Sequence, residues 1–244
     1  MKKSVIAAMC ICSVHIVAVA QEAETGGCKN TLGAGVTLTD GNSETLQANA
    51  ALLTEGEKEG LGSIRAGVEA NYGESTVASN KETTVENIRA FASVKKTITA
   101  RTFGSISADV LYDDVAQIDY RATLGPGLGF YAIKNDRTSL SVEAGPSYVW
   151  EKVADTTDDY LALRFAERYD HALSTTAKLW QSLEYLPKAD DFSDYLMTAE
   201  VGAEAALNAR INLRMVLQDK YDSTPGVGLE KNDLSLIAGI SLSL

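Results

Sequence analysis

The sequence predicts an all-β membrane barrel of about twelve antiparallel up-and-down strands behind a cleaved signal peptide. Three observations lead there. Stretches of about ten residues alternate strictly between apolar and polar, which is the two-residue period of a β-strand. A secretory signal precedes them. The tyrosines gather at strand ends, where an amphipathic ring meets a lipid–water boundary.

The signal comes first. Lys2 and Lys3 form a basic region, Ser4–Val19 is largely apolar, and Ala18-Val19-Ala20 supplies small residues for cleavage before Gln21. The apolar run is short for a membrane-anchor helix. A lipoprotein site at Cys28 fits less well, because the apolar region ends well before it. The expected division is residues 1–20 signal peptide, 21–29 a short N-terminal segment and 30–244 one barrel domain. The net charge of −11 becomes more negative once Lys2 and Lys3 leave, which argues against nucleic acid as a partner. Cys10 and Cys12 leave too, so Cys28 has no partner for a disulfide or a metal site.

The first strand puts Leu32, Ala34, Val36 and Leu38 on one face, and Asp40-Gly41-Asn42 turns the chain. The second carries Leu46, Ala48, Ala50 and Leu52. The third sets Ile64, Ala66, Val68, Ala70 and Tyr72 against Arg65, Glu69 and Asn71. The fourth sets Ile88, Ala90, Ala92 and Val94 against Asn87, Arg89, Ser93 and Lys95. The fifth sets Ile106, Ala108, Val110 and Tyr112 against Ser105, Ser107 and Asp109. The sixth carries Tyr120, Ala122, Leu124, Leu128 and Phe130 opposite Arg121, Thr123 and three glycines, and Asn135-Asp136 closes it tightly. The seventh sets Leu140, Val142, Ala144, Tyr148 and Trp150 against Glu143. The eighth sets Leu161, Leu163, Phe165 and Tyr169 against Arg164 and Arg168. The ninth sets Ala177, Leu179, Leu183 and Tyr185 against Lys178, Trp180, Ser182 and Glu184. The tenth sets Tyr195, Met197, Ala199 and Val201 against Glu200 and Glu204. The eleventh sets Ile211, Leu213, Met215 and Leu217 against Asn212, Arg214 and Gln218. The last aligns Leu234, Leu236, Ala238, Ile240, Leu242 and Leu244.

Alternation does not say which face is wet. A soluble barrel points its apolar residues inward and a membrane barrel points them outward. The connections favour the membrane. One series contains the long segments Gly73–Thr83, Asp113–Asp119, Glu151–Asp159, Leu186–Asp194 and Asp219–Asn232, which are expected as outer loops. The other is short, with Leu207–Ala209 an example. Tyr72, Tyr112, Tyr120, Tyr148, Trp150, Tyr160, Tyr185, Tyr195 and Tyr221 are expected in an aromatic girdle at the outer rim. The candidate lumen-lining residues, by parity, are Arg65, Glu69, Arg89, Arg121, Glu143, Arg164, Arg168, Lys178, Trp180, Glu184, Glu200, Glu204 and Arg214.

Several motifs coincide with this pattern: Gly35-Val36-Thr37-Leu38-Thr39-Asp40-Gly41-Asn42-Ser43-Glu44-Thr45, Gly125-Pro126-Gly127-Leu128-Gly129-Phe130, Gln181-Ser182-Leu183-Glu184-Tyr185-Leu186-Pro187 and Asn232-Asp233-Leu234. Together they resemble the YdiY-like "salt-induced outer membrane protein" family, a family of unknown function, over roughly residues 30–244. The resemblance implies a bacterial outer-membrane barrel. Its partners would be outer-membrane lipid, lipopolysaccharide and the outer-membrane assembly machinery. It carries over no catalytic residues. The chain departs from the common terminal phenylalanine of outer-membrane strands by ending on Leu244.

Little in the sequence supports catalysis, and nothing calls for a cofactor or a metal. Gly125–Gly129 is no phosphate loop, because a strand and not a helix follows it. His171 is the sole histidine after the signal. Beside Asp170 and near Ser174, it is expected in a periplasmic turn held by local hydrogen bonds. Glu200 and Glu204 are expected in lumen ion pairs. The acidic outer segments (Asp113, Asp114, Asp155, Asp158, Asp159, Asp190, Asp191, Asp219, Asp222) suggest solvation first and divalent-cation bridging to lipopolysaccharide second. The expected function is a structural barrel or a narrow, non-specific channel. The alternatives are an outer-membrane enzyme acting on lipid or lipopolysaccharide, and a soluble periplasmic barrel binding an apolar ligand.

Overall fold

The computed structural model describes residues 28–39, 43–58, 62–77, 80–226 and 228–244. The expected signal peptide and the expected turn at Asp40-Gly41-Asn42 lie outside the described residues. Twelve strands follow one another: β1 (Lys29–Thr39), β2 (Ser43–Lys58), β3 (Gly62–Val77), β4 (Asn80–Thr97), β5 (Thr102–Asp113), β6 (Ile118–Lys134), β7 (Thr138–Val153), β8 (Thr156–Ala172), β9 (Ala177–Pro187), β10 (Tyr195–Ala206), β11 (Ile211–Asp222) and β12 (Asn232–Ser243). Each pairs antiparallel with its sequence neighbours, and β12 returns to β1 to close the cylinder. Closure satisfies the backbone groups that a sheet edge would expose to hydrocarbon. The start of β1 and the end of β12 lie at one end, here called the inner end, where the Leu244 amide donates to the Asn30 carbonyl at 2.9 Å.

The barrel is inside-out relative to a soluble protein. Leu128 is 69% exposed and Leu236 64%, and Val36, Ile88, Ile106, Val201 and Met215 also face outward. Ser105, Ser141, Glu143, Asn212, Gln218 and Ser241 are buried. An apolar exterior of this extent is stable only against hydrocarbon. It overturns the soluble alternative, whose apolar ligand site would need those side chains inside.

The strands are longer than the ten-residue stretches of the sequence pattern, with β4 reaching 18 residues and β6 and β8 17 each. Three expected outer loops are therefore hairpins that carry the ladder beyond the apolar belt. Gly73–Thr83 is mostly β3 and β4, where Lys81 pairs with Glu74 at 2.7 Å. Asp113–Asp119 narrows to a turn over residues 114–117, and Glu151–Asp159 narrows to Ala154 and Asp155, both at positive φ (46° and 65°). The extended loops of the outer end that remain among the described residues are 188–194 and the stretches 223–226 and 228–231. Asp219, expected to open the last loop, lies in β11 on the outward parity, with Oδ1 buried and unpaired.

Beyond single-residue bulges, two seams interrupt the regular ladder. Between β1 and β12 the register runs only from Thr31↔Ser243 to Ala34↔Ile240, although β1 pairs with β2 along its whole length. Between β6 and β7 it breaks from Leu124↔Tyr148 to Leu128↔Ala144. There Gly125-Pro126 faces Gly145-Pro146. Two prolines remove two ladder donors. The glycines let the backbones close in, and a Cβ on Gly145 would stand 2.1 Å from the Pro126 carbonyl oxygen.

Candidate functional site

The strand period aims every second side chain at the axis, and that interior is the candidate site. All thirteen residues expected there point inward, since each alternates with an outward apolar neighbour. They sort into three tiers.

The inner tier centres on Glu143, whose side chain is 5% exposed. It accepts from Ser105 Oγ at 2.7 Å and Arg164 Nη1 at 2.6 Å, with Lys95 Nζ at 3.3 Å. Lys95 and Glu143 sit on β4 and β7, which are not neighbours, so this contact reaches across the interior. Arg164 also donates to Glu184 at 2.6 Å. Arg65 pairs with Glu55 at 2.8 Å, Arg168 with Asp170 at 2.9 Å and Lys178 with Glu204 at 3.6 Å.

The middle tier is narrow. Arg89 pairs with Asp109 at 2.6 Å, and Asn71 donates to Asn87 at 2.8 Å. Among the described residues Glu200 is in no ion pair, which corrects that expectation. It accepts from Trp180 Nε1 at 2.5 Å and Gln218 at 3.5 Å. The Arg214 guanidinium lies 5.0 Å from the Trp180 ring centre. The open space beside Glu69, Arg89, Glu200, Arg214 and Lys220 is only about 60 Å³.

The outer tier opens into a vestibule of about 520 Å³. Arg121 spans it. It donates to Glu151 at 2.5 Å and, from β6 to β11 across the lumen, to Asp222 at 2.9 Å. The loop after β11 follows the same line. A Cβ on its Gly226 would lie 3.3 Å from Gln117 Oε1 and 3.7 Å from Ala154 Cβ, in the turns before β6 and β8. The vestibule is lined by six carboxylates (Asp109, Asp113, Glu184, Asp222, Glu230, Asp233) and four cations (Arg89, Arg121, Lys220, Lys231).

The structure adds Phe91 and Phe103, which parity reading passed over, to the expected Trp180. Phe91, Phe103 and Trp180 each stand opposite a glycine on the next strand, in the pairs Gly67↔Phe91, Phe103↔Gly129 and Gly202↔Trp180. The rings lie over the bare backbone, and cations cover them in turn: Arg65 and Arg89 at 5.2 Å from Phe91, and Lys95 at 4.6 Å from Phe103. The signal was present, since each aromatic sits on an inward position.

At the outer rim, Tyr148 and Trp150 lie 4.8 Å apart, Tyr185 tilts against Tyr195 at 5.2 Å, and Tyr195 stacks on Tyr221 at 5.4 Å. Tyr72, Tyr112 and Tyr120 also face outward. Tyr160 does not, which corrects its place in the girdle. Leu161 takes the outward position, so Tyr160 turns in and packs on Val149, Ala162 and Leu186, with Lys188 4.3 Å from its ring.

His171 lies in β8 and not in the turn. Its Nδ1 is 2.8 Å from Thr138 Oγ1 and its ring stacks on Tyr169 at 6.1 Å, while Ser174 Oγ faces Thr176 Oγ1. Among the described residues, the imidazole's side-chain hydrogen-bond partner is Thr138. The outer carboxylates are similarly engaged: Asp158 and Asp194 with Lys188 (3.2 and 2.8 Å), Asp119 with Lys152 and Asp191 with Ser193. Among the described residues, no group of three His, Cys, Asp or Glu side chains converges as a metal site would require.

No curated protein matches the sequence. In structure the chain is similar to the NanC porin at 10% identity and a TM-score of 0.54, covering 88% of this chain and 100% of that one. It is similar to an outer membrane channel from Pseudomonas putida F1 at 9% identity and a TM-score of 0.54, covering 93% and 98%. At these identities the likeness concerns the fold. Residues 32–243, nearly the whole cylinder, match the family described as a protein of unknown function, DUF481. The chain is therefore a member of the DUF481 family, built as an outer-membrane β-barrel.

Proposed function

We propose that this protein is a narrow outer-membrane channel for small ions, constricted by its own side chains. The observation that carries the reading is the axial sequence of spaces. A wide charged vestibule leads to a middle tier with room for little more than a file of water, beside charged groups of both signs. Twelve strands enclose more than the packed interior of an eight-stranded barrel and less than the aqueous channel of a sixteen-stranded one. Ion pairs spanning that width narrow it without plugging it with apolar side chains. The excess of carboxylates in the vestibule favours cations. A salt-responsive role fits such a lumen, which passes small ions and holds back larger solutes. On this reading the chain is exported, loses residues 1–20 and sits in outer-membrane lipid with lipopolysaccharide outside.

Planar-bilayer recording of refolded full-length protein tests the proposal. The expected result is a small, cation-preferring conductance. A properly assembled barrel that passes no current under any applied voltage would leave only the structural reading.

A further inference from the structure

The outer wall of the cylinder carries, within its apolar rows, a charged side chain and a polar partner. Glu167 lies on the outward parity of β8. The row across its position reads Phe130↔Val142, Val142↔Glu167 and Glu167↔Leu183. Gln181, outward on β9, donates from Nε2 to Glu167 Oε2 at 2.7 Å. Glu167 is the third outward position from the inner end of β8, one step inside Tyr169, which puts it about 5 Å inside the inner boundary of the hydrocarbon.

A carboxylate there is costly unless its oxygens are satisfied. Gln181 serves one oxygen and leaves the other toward lipid. Above the pair, toward the bilayer centre, the wall is hollowed into a groove of about 720 Å³. The hollow arises because Ala144 stands between Leu128 and Phe165 in the next row. Phe130, Val142 and Leu183 line its lower part beside Glu167. The groove is apolar, matches a hydrocarbon chain in character, and has an anion at the end nearest the headgroups.

We propose that this groove holds an inner-leaflet phospholipid with a primary-amine headgroup. The ammonium donates to Glu167, Gln181 holds the carboxylate in place, and one acyl chain lies along Phe165, Leu128 and Val142. Charge and donor count decide the headgroup. A phosphatidylglycerol brings a net negative charge to a carboxylate. A phosphatidylcholine brings the right charge but no N–H. The inference uses the lipid-facing wall alone and is independent of whether the lumen conducts.

The test is lipid retention by refolded full-length protein from vesicles of equimolar dioleoyl phosphatidylethanolamine and dioleoyl phosphatidylcholine, read by native mass spectrometry after detergent extraction. Wild type should retain the ethanolamine lipid about tenfold over the choline lipid, the effect of one charge-assisted hydrogen bond. Glu167→Gln, nearly isosteric, should bring the ratio to about one while leaving conductance unchanged. Equal retention of the two lipids by wild type would overturn the proposal, and so would an undiminished preference in the variant. The wild-type comparison does not depend on the variant's assembly.

Discussion

Arg121 is the side chain on which the outer mouth depends most, and its removal can be worked through. It stands between Glu151 and Asp222, and all three side chains are at least four-fifths buried. Arg121→Ala leaves two carboxylates facing a lumen that no longer contains their cation, so the local charge of the trio falls from −1 to −2. A permeating cation about 7 Å away gains about 0.6 kcal/mol if the vestibule has the dielectric of water, and about 2.4 kcal/mol at an effective dielectric near 20. Cation permeability should then rise by between about threefold and about sixtyfold, and cation over anion permeability by more, because an anion loses what a cation gains. Losing the side chain also removes the strut across the vestibule, so single-channel conductance should increase. Arg121→Lys should keep most of the selectivity, because it keeps the charge, and lose some of the constriction, because it cannot hold both partners as a fork. The assay is reversal potential under a potassium chloride gradient, with heat-modifiable gel mobility as the control for assembly. An assembled Arg121→Ala barrel with unchanged reversal potential and conductance would refute the claim that ions pass this residue.

Further outcomes follow from other tiers. Glu143→Gln should cost about 2 kcal/mol, because Lys95 loses its carboxylate while Arg164 keeps Glu184; urea unfolding in phospholipid vesicles measures it. Gly202→Ala should cost about 1–3 kcal/mol and shift the Trp180 emission, since the new methyl would stand 2.0 Å from the indole, whereas Gly33→Ala, with its nearest neighbour at 3.7 Å, should be tolerated; fluorescence and unfolding midpoints compare the two. Burial alone would raise the Asp194 carboxyl, but hydrogen bonds from Lys188 and Thr224 hold it below its ordinary 3.8. Burial would lower Lys188, yet Asp194 and Asp158 hold it above 10.5. The protection of residues 188–194 should therefore be full between about pH 4 and 10, lost below as Asp194 protonates and above as Lys188 deprotonates; hydrogen exchange corrected for its intrinsic pH dependence reads it. Spin labels at Leu163 and Val201 should report acyl chains, and labels at Arg164 and Glu200 should report water.

The architecture was legible because alternation is a local property. Leu32 to Leu38 or Leu234 to Leu244 shows its period without reference to any other strand. The inward positions of Arg164 or Glu143 follow from the same count. Partners do not. Parity puts Arg121 in the lumen but cannot say that Asp222 meets it from the far wall, because that depends on the curvature and flattening of the whole ring. Tyr160 was misplaced by its proximity to a strand end, although the outward Leu161 already required it to point in. Glu167 and Gln181 were passed over because each breaks an apolar row, and a polar residue on that parity looks like noise until the register sets the two side by side. The long outer segments looked like loops because they are polar. The ladder above the membrane needs no apolar face, so composition could not reveal that it continues.

The short fastening between the first and last strands sets where the cylinder is weakest. Everywhere else a strand is zipped to its neighbour over at least eight residues, but here only the stretch from Thr31 to Ala34 holds the ring shut. A chain inserted as a curled ribbon would reach its final form when that clasp snaps to. A tug on the C-terminus would undo the clasp first and leave the rest of the staves in place.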